Sequence, residues 1–205
     1  MSPLIGPYAI TPDHTLENWL DVIDKSKSYL DAGGRVIQYR NKITESVPKP
    51  DHINQLRELT AQYNGTFIIN DDLELAVQLG ADGLHLGGQD MPLVSARKAF
   101  PDGIIGISCY NLLENARIAQ QSGADYVAFG RFFPSNTKPD AILANPELLA
   151  QAKQEIRLPL IAIGGITLAN ARELIEAGAD SVAVIDGLFS AEDISATTRQ
   201  FMAMF

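Results

Sequence analysis

Eight short, mostly apolar runs recur along this chain: LIGPYAI, RVIQY, TFIIN, GLHL, IIGIS, DYVAFG, PLIAIGG and SVAVI. Each is followed by sequence with helical spacing. Leu16, Trp19, Leu20 and Ile23 are expected to share one face of the first helix, and Leu168, Ala171, Leu174 and Ile175 one face of the seventh. Strand then helix, repeated, implies a parallel sheet, because parallel neighbours need a crossover long enough to hold a helix. A short internal repeat narrows the choice. Gly-Ala-Asp stands immediately before the fourth, sixth and eighth strands, at 80–82, 123–125 and 178–180, and Ala32-Gly33-Gly34 stands before the second. Each glycine suits a helix end that turns into a strand through a left-handed backbone conformation. The regular doubling predicts an α/β fold of one domain over residues 1–205, a closed (β/α)8 TIM barrel with parallel strands, rather than an open sheet. Such barrels run to roughly 250 residues, so this one has little room for inserted domains. The prolines of ITESVPKPD, residues 43–51, predict an extended, mobile flap after the second strand.

Composition excludes several function classes. The chain has 205 residues, 46% of them hydrophobic, enough for one well-buried core. Its net charge of -9 and lack of a basic run argue against nucleic acid as a partner. No apolar run approaches a membrane span, and no signal-type start is present. The lone cysteine, Cys109, rules out an intrachain disulfide, and together these features point to a cytoplasmic protein. Three histidines are too few for a multi-histidine zinc site. His14 and His52 read as surface loop or helix-start residues, and Cys109 reads as a small hydrophobe.

In a barrel of this kind the chemistry sits at the C-terminal ends of the strands. There the second strand ends in IQYRNK, which places Arg40 and Lys42 in an otherwise acidic chain and calls for an anionic ligand. The third strand ends in Asn70, Asp71 and Asp72; the fourth leads to His85, Gln89 and Asp90; the fifth ends in Ser108, Cys109 and Tyr110; the sixth leads to Ser135, Asn136, Thr137 and Lys138. Asp71 and Asp90 on neighbouring strands suit a Mg²⁺ ion shared with substrate phosphate, or else each caps the helix that follows. His85 reads equally well as a core histidine that orients a loop. Glycine-rich ends, AIGGI at 162–166 and VAVIDGLFSAED at 182–193, suggest a second phosphate site, with Ser190 and Asp193 forming a capping box where the last helix begins.

In order and spacing, YAIT, IQYRNK, FIINDDLELA, ADGLHLGGQD, IIGISCY, GADYVAFGRFFPSNTKP, PLIAIGGI and GADSVAVIDGLF resemble the thiamine-phosphate synthase (thiamine-phosphate pyrophosphorylase) family over nearly the whole chain. The resemblance implies a transferase that joins hydroxymethylpyrimidine diphosphate to a thiazole monophosphate, giving thiamine monophosphate and pyrophosphate by a dissociative, Mg²⁺-assisted substitution. It implies that Gln38, Arg40, Lys42, Asn70 and Lys138 bind the pyrimidine diphosphate, with Tyr39, Asn41 and Asn136 among the substrate contacts. Ser108 would approach the reacting centre, and Asp71 and Asp90 would hold Mg²⁺. Ser135, Thr137, Gly165, Ile185 and Asp186 would receive the thiazole phosphate. Arg40, Lys42, Ser108 and Lys138 form the implied catalytic set. The partners are small molecules, and a homo-oligomer is compatible with this reading. Members of the family commonly carry Ser in place of Asp186, His in place of Tyr110 and Thr in place of Ser135. An acidic side chain beside a phosphate must point away from it. Three competing readings carry less of the pattern: a related barrel that isomerises thiazole phosphate through a histidine, a non-catalytic phosphate sensor, and a Schiff-base aldolase.

Overall fold

The computed structural model describes residues 4–45, 47–88, 90–134 and 142–205. Eight parallel strands close into a barrel: β1 (Gly6–Ile10), β2 (Val36–Tyr39), β3 (Thr66–Asn70), β4 (Gly83–Leu86), β5 (Ile104–Tyr110), β6 (Tyr126–Gly130), β7 (Leu160–Ile163) and β8 (Ser181–Val184). Pairing of β1 with β8 completes the ring, with Tyr8 opposite Ala183. Around it, among the described residues, stand α1 (Trp19–Asp31), α2 (Pro50–Gln62), α3 (Leu73–Leu79), α4 (Leu93–Ala99), α5 (Leu113–Gln121), α6 (Glu147–Glu155), α7 (Ala171–Glu176), α8 (Asp186–Phe189) and α9 (Ile194–Met202). TFIIN and GLHL coincide with β3 and β4, and every other predicted strand agrees at both ends to within two residues. No described helix is long and apolar enough to cross a membrane.

Strand alternation sorts the side chains into two cores. Tyr8, Ile10, Val36, Ile68, Tyr126, Ala128, Ile161 and Ala183 fill the barrel interior. Their strand neighbours Ile37, Phe67, Ile69, Leu84, Val127 and Phe129 pack in the shell beneath the helices. Because successive side chains point to opposite faces, this parity decides what reaches the mouth: after Val36 inside and Ile37 outside come Gln38 inside, Tyr39 outside and Arg40 inside. At the end of β5 the register shifts between Ser108 and Tyr110, and Tyr110 takes a left-handed backbone conformation with φ 54°. This bulge turns the Tyr110 ring over the mouth.

The Gly-Ala-Asp repeat has two physical parts. Its glycines take the positive φ expected, 60° at Gly80, 89° at Gly123 and 119° at Gly178. Its aspartates clasp the strand before them. Asp82 donates its N–H to the Phe67 carbonyl at 3.0 Å and accepts the Phe67 N–H on its carboxylate at 2.8 Å. Asp125 does the same to Ile105, and Asp180 to Leu160. The repeat therefore satisfies backbone groups at the second residue of β3 and of β5 and at the first residue of β7, at the N-terminal end of the barrel.

Four expectations about the helices and the loop after β2 need correction. Helix α1 buries Trp19, Val22, Ser26, Tyr29 and Leu30, while Leu16 is 42% and Leu20 71% exposed. A 3-10 turn over Leu16–Asn18 precedes α1, and its tighter winding rotates Leu16 out of phase with the helix face. Asp72, rather than Asp71, caps α3 by accepting from the Leu75 N–H at 2.9 Å. An N-cap needs extended backbone, and Asp71 has φ 64°. Asp193 by itself caps α9, whereas Ser190 closes α8. In the predicted flap, the described residues from Ile43 to Lys49 form no helix or strand, but Pro50 and Asp51 already belong to α2, where Pro opens the helix.

Candidate functional site

Two adjoining cavities open at the C-terminal ends of the strands, one of about 600 Å³ and one of about 200 Å³. Arg40, Asn70, His85, Ser108 and Tyr110 line both and form their shared wall. The smaller is charged, with Lys42, Asp71 and Asp90 around Gly87 and Gly88. The larger has apolar walls from Ile10, Ala128, Ile161, Ile163, Ala183 and Ile185, with Gln38 and Tyr8 in its floor and Gly164, Gly165, Asp186 and Gly187 at one side.

The cationic strand end is held by its neighbour. Thr11 on the loop after β1 accepts from the Arg40 N–H at 2.9 Å and donates to the Arg40 carbonyl at 2.8 Å. Asp13 then takes the Arg40 guanidinium at 3.0 Å and the Lys42 backbone N–H at 2.8 Å on one carboxylate oxygen. Lys42 Nζ reaches Asp71 at 2.5 Å. Tyr39 and Asn41 do not join the cavity. Tyr39 is buried in the shell against His14 and Trp19, and Asn41 ties the β2 loop to the backbone of His14. The same alternation that turns Arg40 in turns these two out. His14 is itself buried, correcting its expected place on the surface, because its ring fills the gap between Trp19 and Tyr39.

Asp71 and Asp90 stand side by side. Burial, and next the Asp71 carboxylate, raise the pKa of Asp90. Asp90 also accepts the Gly87 N–H at 2.6 Å, and the Tyr110 hydroxyl accepts the Gly88 N–H at 2.9 Å, so the loop that carries Asp90 is fixed at both of its glycines. Two adjacent carboxylates facing an open pocket are a hard-oxygen donor set of the kind a small divalent cation takes, with substrate and water completing its coordination.

The floor of the larger cavity is polar in a way the apolar flanks of His85 concealed. His85 lies in the barrel interior, stacked on Tyr126 with centroids 5.5 Å apart, and bonds to both Tyr126 and Ser108. Cys109 points the other way, into the shell, where burial pushes its thiol up to about 12, so it stays protonated and inert. Asp186 opens α8 with its side chain exposed at the rim. Ser135, Asn136, Thr137, Lys138 and Gln89 lie outside the described residues. Tyr8, Thr11, Asp13 and Tyr126 were missed by sequence reasoning. Strand parity alone would have indicated Tyr8 and Tyr126, which sit on the inward positions of β1 and β6.

A sequence model of the family described as thiamine monophosphate synthase matches residues 7–188, a span that contains every described residue of both cavities. The chain belongs to that family. Thiamine-phosphate synthase of Methylobacillus flagellatus is 50% identical over 100% of this chain and 97% of its own length. That of Nitrosococcus oceani is 46% identical over 100% of this chain and 94% of its own. Among solved structures, thiamine phosphate pyrophosphorylase from Pyrococcus furiosus superposes with a TM-score of 0.85 at 32% identity, covering 98% of this chain and 95% of the other. In this member of the thiamine monophosphate synthase family, the cavities occupy the strand ends where barrels of this type hold their ligands.

Proposed function

We propose that the protein joins hydroxymethylpyrimidine diphosphate to a thiazole monophosphate, forming thiamine monophosphate and pyrophosphate. The observation that carries this reading is the meeting of a charged cavity and a largely apolar one at Ser108. A diphosphate in the charged cavity would bring its bond to the pyrimidine methylene to that wall, with the ring in the apolar cavity beyond. Arg40 and Lys42 bind the diphosphate, and Asn70 and Gln38 fix the pyrimidine. Asp71 and Asp90 would hold Mg²⁺, which when bound neutralises charge on the leaving diphosphate. The methylene–oxygen bond breaks first, and its electron pair leaves with the diphosphate. The thiazole nitrogen, held beside the resulting pyrimidine carbocation, then donates its lone pair to close the new carbon–nitrogen bond. No base is needed, so catalysis rests on placing the reactants and stabilising the leaving group. Gly165 and the backbone at Ile185 and Asp186 offer the thiazole phosphate a seat on the far side of the larger cavity. Lys138, Ser135, Asn136 and Thr137 keep the roles implied by the family resemblance.

Purified protein incubated with Mg²⁺ and pyrimidine diphosphate, with and without thiazole phosphate, tests this. Equal release of pyrophosphate and thiamine monophosphate, dependent on both substrates, is expected. If thiazole phosphate binds or isomerises while no coupled product forms, the reading fails.

A further inference from the structure

Five polar side chains cross the barrel interior in one unbroken hydrogen-bonded chain. Gln38 Nε2 donates to the Tyr8 hydroxyl at 2.8 Å, and the Tyr8 and Tyr126 hydroxyls lie 2.9 Å apart. The Tyr126 hydroxyl is 2.9 Å from His85 Nδ1, and His85 Nε2 is 2.8 Å from Ser108 Oγ. The end at Gln38 sets the direction of every bond. An amide nitrogen donates and does not accept, so Tyr8 accepts there and its own proton goes to Tyr126. Burial raises the pKa of both phenols, so each keeps its proton. Tyr126, having accepted from Tyr8, therefore turns its proton to Nδ1. An imidazole nitrogen that accepts carries no hydrogen, so the ring proton sits on Nε2 and Ser108 accepts it.

We infer that Gln38, Tyr8, Tyr126 and His85 are positioning residues that hold His85 as the Nε2–H tautomer and thereby aim the Ser108 hydroxyl proton into the junction of the two cavities. What that proton meets rests on the proposed reaction. Where the methylene–oxygen bond breaks, the leaving oxygen gains negative charge, and an aligned donor stabilises it. The opposite polarity would present the Ser108 lone pairs to an anion. The fold keeps room for this arrangement at Gly106, which lies in register between His85 on β4 and Tyr126 on β6. A Cβ there would overlap the Tyr126 ring.

The test uses the full chain labelled with ¹⁵N-histidine, free of substrates, with the His85 signals assigned by their loss in His85→Gln. Long-range proton–nitrogen correlation is expected to show a protonated Nε2 and an unprotonated Nδ1. A protonated Nδ1 with an unprotonated Nε2 would overturn the inference, since the whole chain would then run backwards. In Tyr126→Phe, Nδ1 loses its donor. The Nε2–H pattern is expected to give way to mixed tautomers, and kcat to fall about tenfold while KM for the pyrimidine diphosphate stays within about twofold. An unchanged spectrum and kcat in a folded Tyr126→Phe would also overturn it. If that variant does not fold, the spectrum of the unsubstituted protein decides. An Nε2–H spectrum in a protein that forms no thiamine monophosphate supports the polarity and overturns the reaction.

Discussion

Arg40 Nη1 lies 3.0 Å from the Asp13 carboxylate, and this contact across β1 and β2 sets where the cationic strand end points. The Arg40 side chain is only 11% exposed, so its direction is constrained by the pair and by the cavity wall. Removing Asp13 adds net positive charge near the diphosphate but releases the guanidinium and the Lys42 backbone from one shared anchor. The two effects oppose each other in ground-state binding, while only the lost alignment acts on the transition state. Asp13→Ala is expected to lower kcat about tenfold with less than about a threefold change in diphosphate affinity. Steady-state kinetics beside equilibrium binding separate the two.

Asp71 carries the Lys42 ammonium at 2.5 Å and stands against Asp90. Its loss removes one carboxylate from the cation donor set and leaves Lys42 unanchored. Turnover in Asp71→Ala is expected to fall by at least about a hundredfold, the scale for losing one electrostatic stabiliser of a leaving group. Measuring turnover across a Mg²⁺ titration checks this, and a near-normal rate at ordinary Mg²⁺ would sink the role given to Asp71.

Asp186 is exposed at the rim of the larger cavity. A solvated carboxylate repels a phosphate weakly at physiological salt, because water and counterions screen it. Replacing it by the serine common in the family is expected to change thiazole-phosphate affinity by less than about threefold at 0.15 M salt. Calorimetric titration of the two proteins reads this directly, and a gain of tenfold or more would show the carboxylate facing the phosphate.

Gly106 leaves space that the Tyr126 ring occupies. Overpacking a barrel interior typically costs about 1–3 kcal/mol, and Gly106→Ala is expected to lose that much stability as Tyr126 is pushed from His85. Urea unfolding measures the loss. An unchanged midpoint would mean that the ring can move aside freely.

His14 couples stability to pH. Its Nδ1 donates to the Pro12 carbonyl at 2.7 Å, and its Nε2 is buried with no hydrogen-bond partner among the described residues. Burial lowers the His14 pKa, outweighing that hydrogen bond and nearby Asp13, both of which raise it. The folded state thus prefers the neutral ring. Its contribution to stability is complete above the unfolded value of 6.5 and is lost as pH falls from there through the folded value. Urea midpoints between pH 7.5 and pH 5.5 are expected to drop less in His14→Leu than in the parent protein. Equal drops would remove His14 from the account.

The strand count, the parallel order and the closure of the barrel are determined locally, by apolar runs of strand length, helical spacing between them and a glycine where each helix must turn back. The cationic end at Arg40 and Lys42 and the carboxylates at Asp71 and Asp90 were legible for the same reason, since a barrel gathers its strand ends on one rim. Alternation along β2 also carried the separation of Gln38 and Arg40 from Tyr39 and Asn41, which motif matching had grouped together. The exposure of Leu16 was not legible, because the 3-10 turn over Leu16–Asn18 takes it off the 3.6-residue spacing of α1. The aspartates that clasp β3, β5 and β7, the anchor at Asp13 and the chain from Gln38 to Ser108 were decided by tertiary structure alone. Tyr8 and Tyr126 stand 118 residues apart, and closure of the ring brings their hydroxyls to 2.9 Å. A hydrogen bond needs both partners placed to within a few tenths of an ångström, and that placement comes only from the closed barrel.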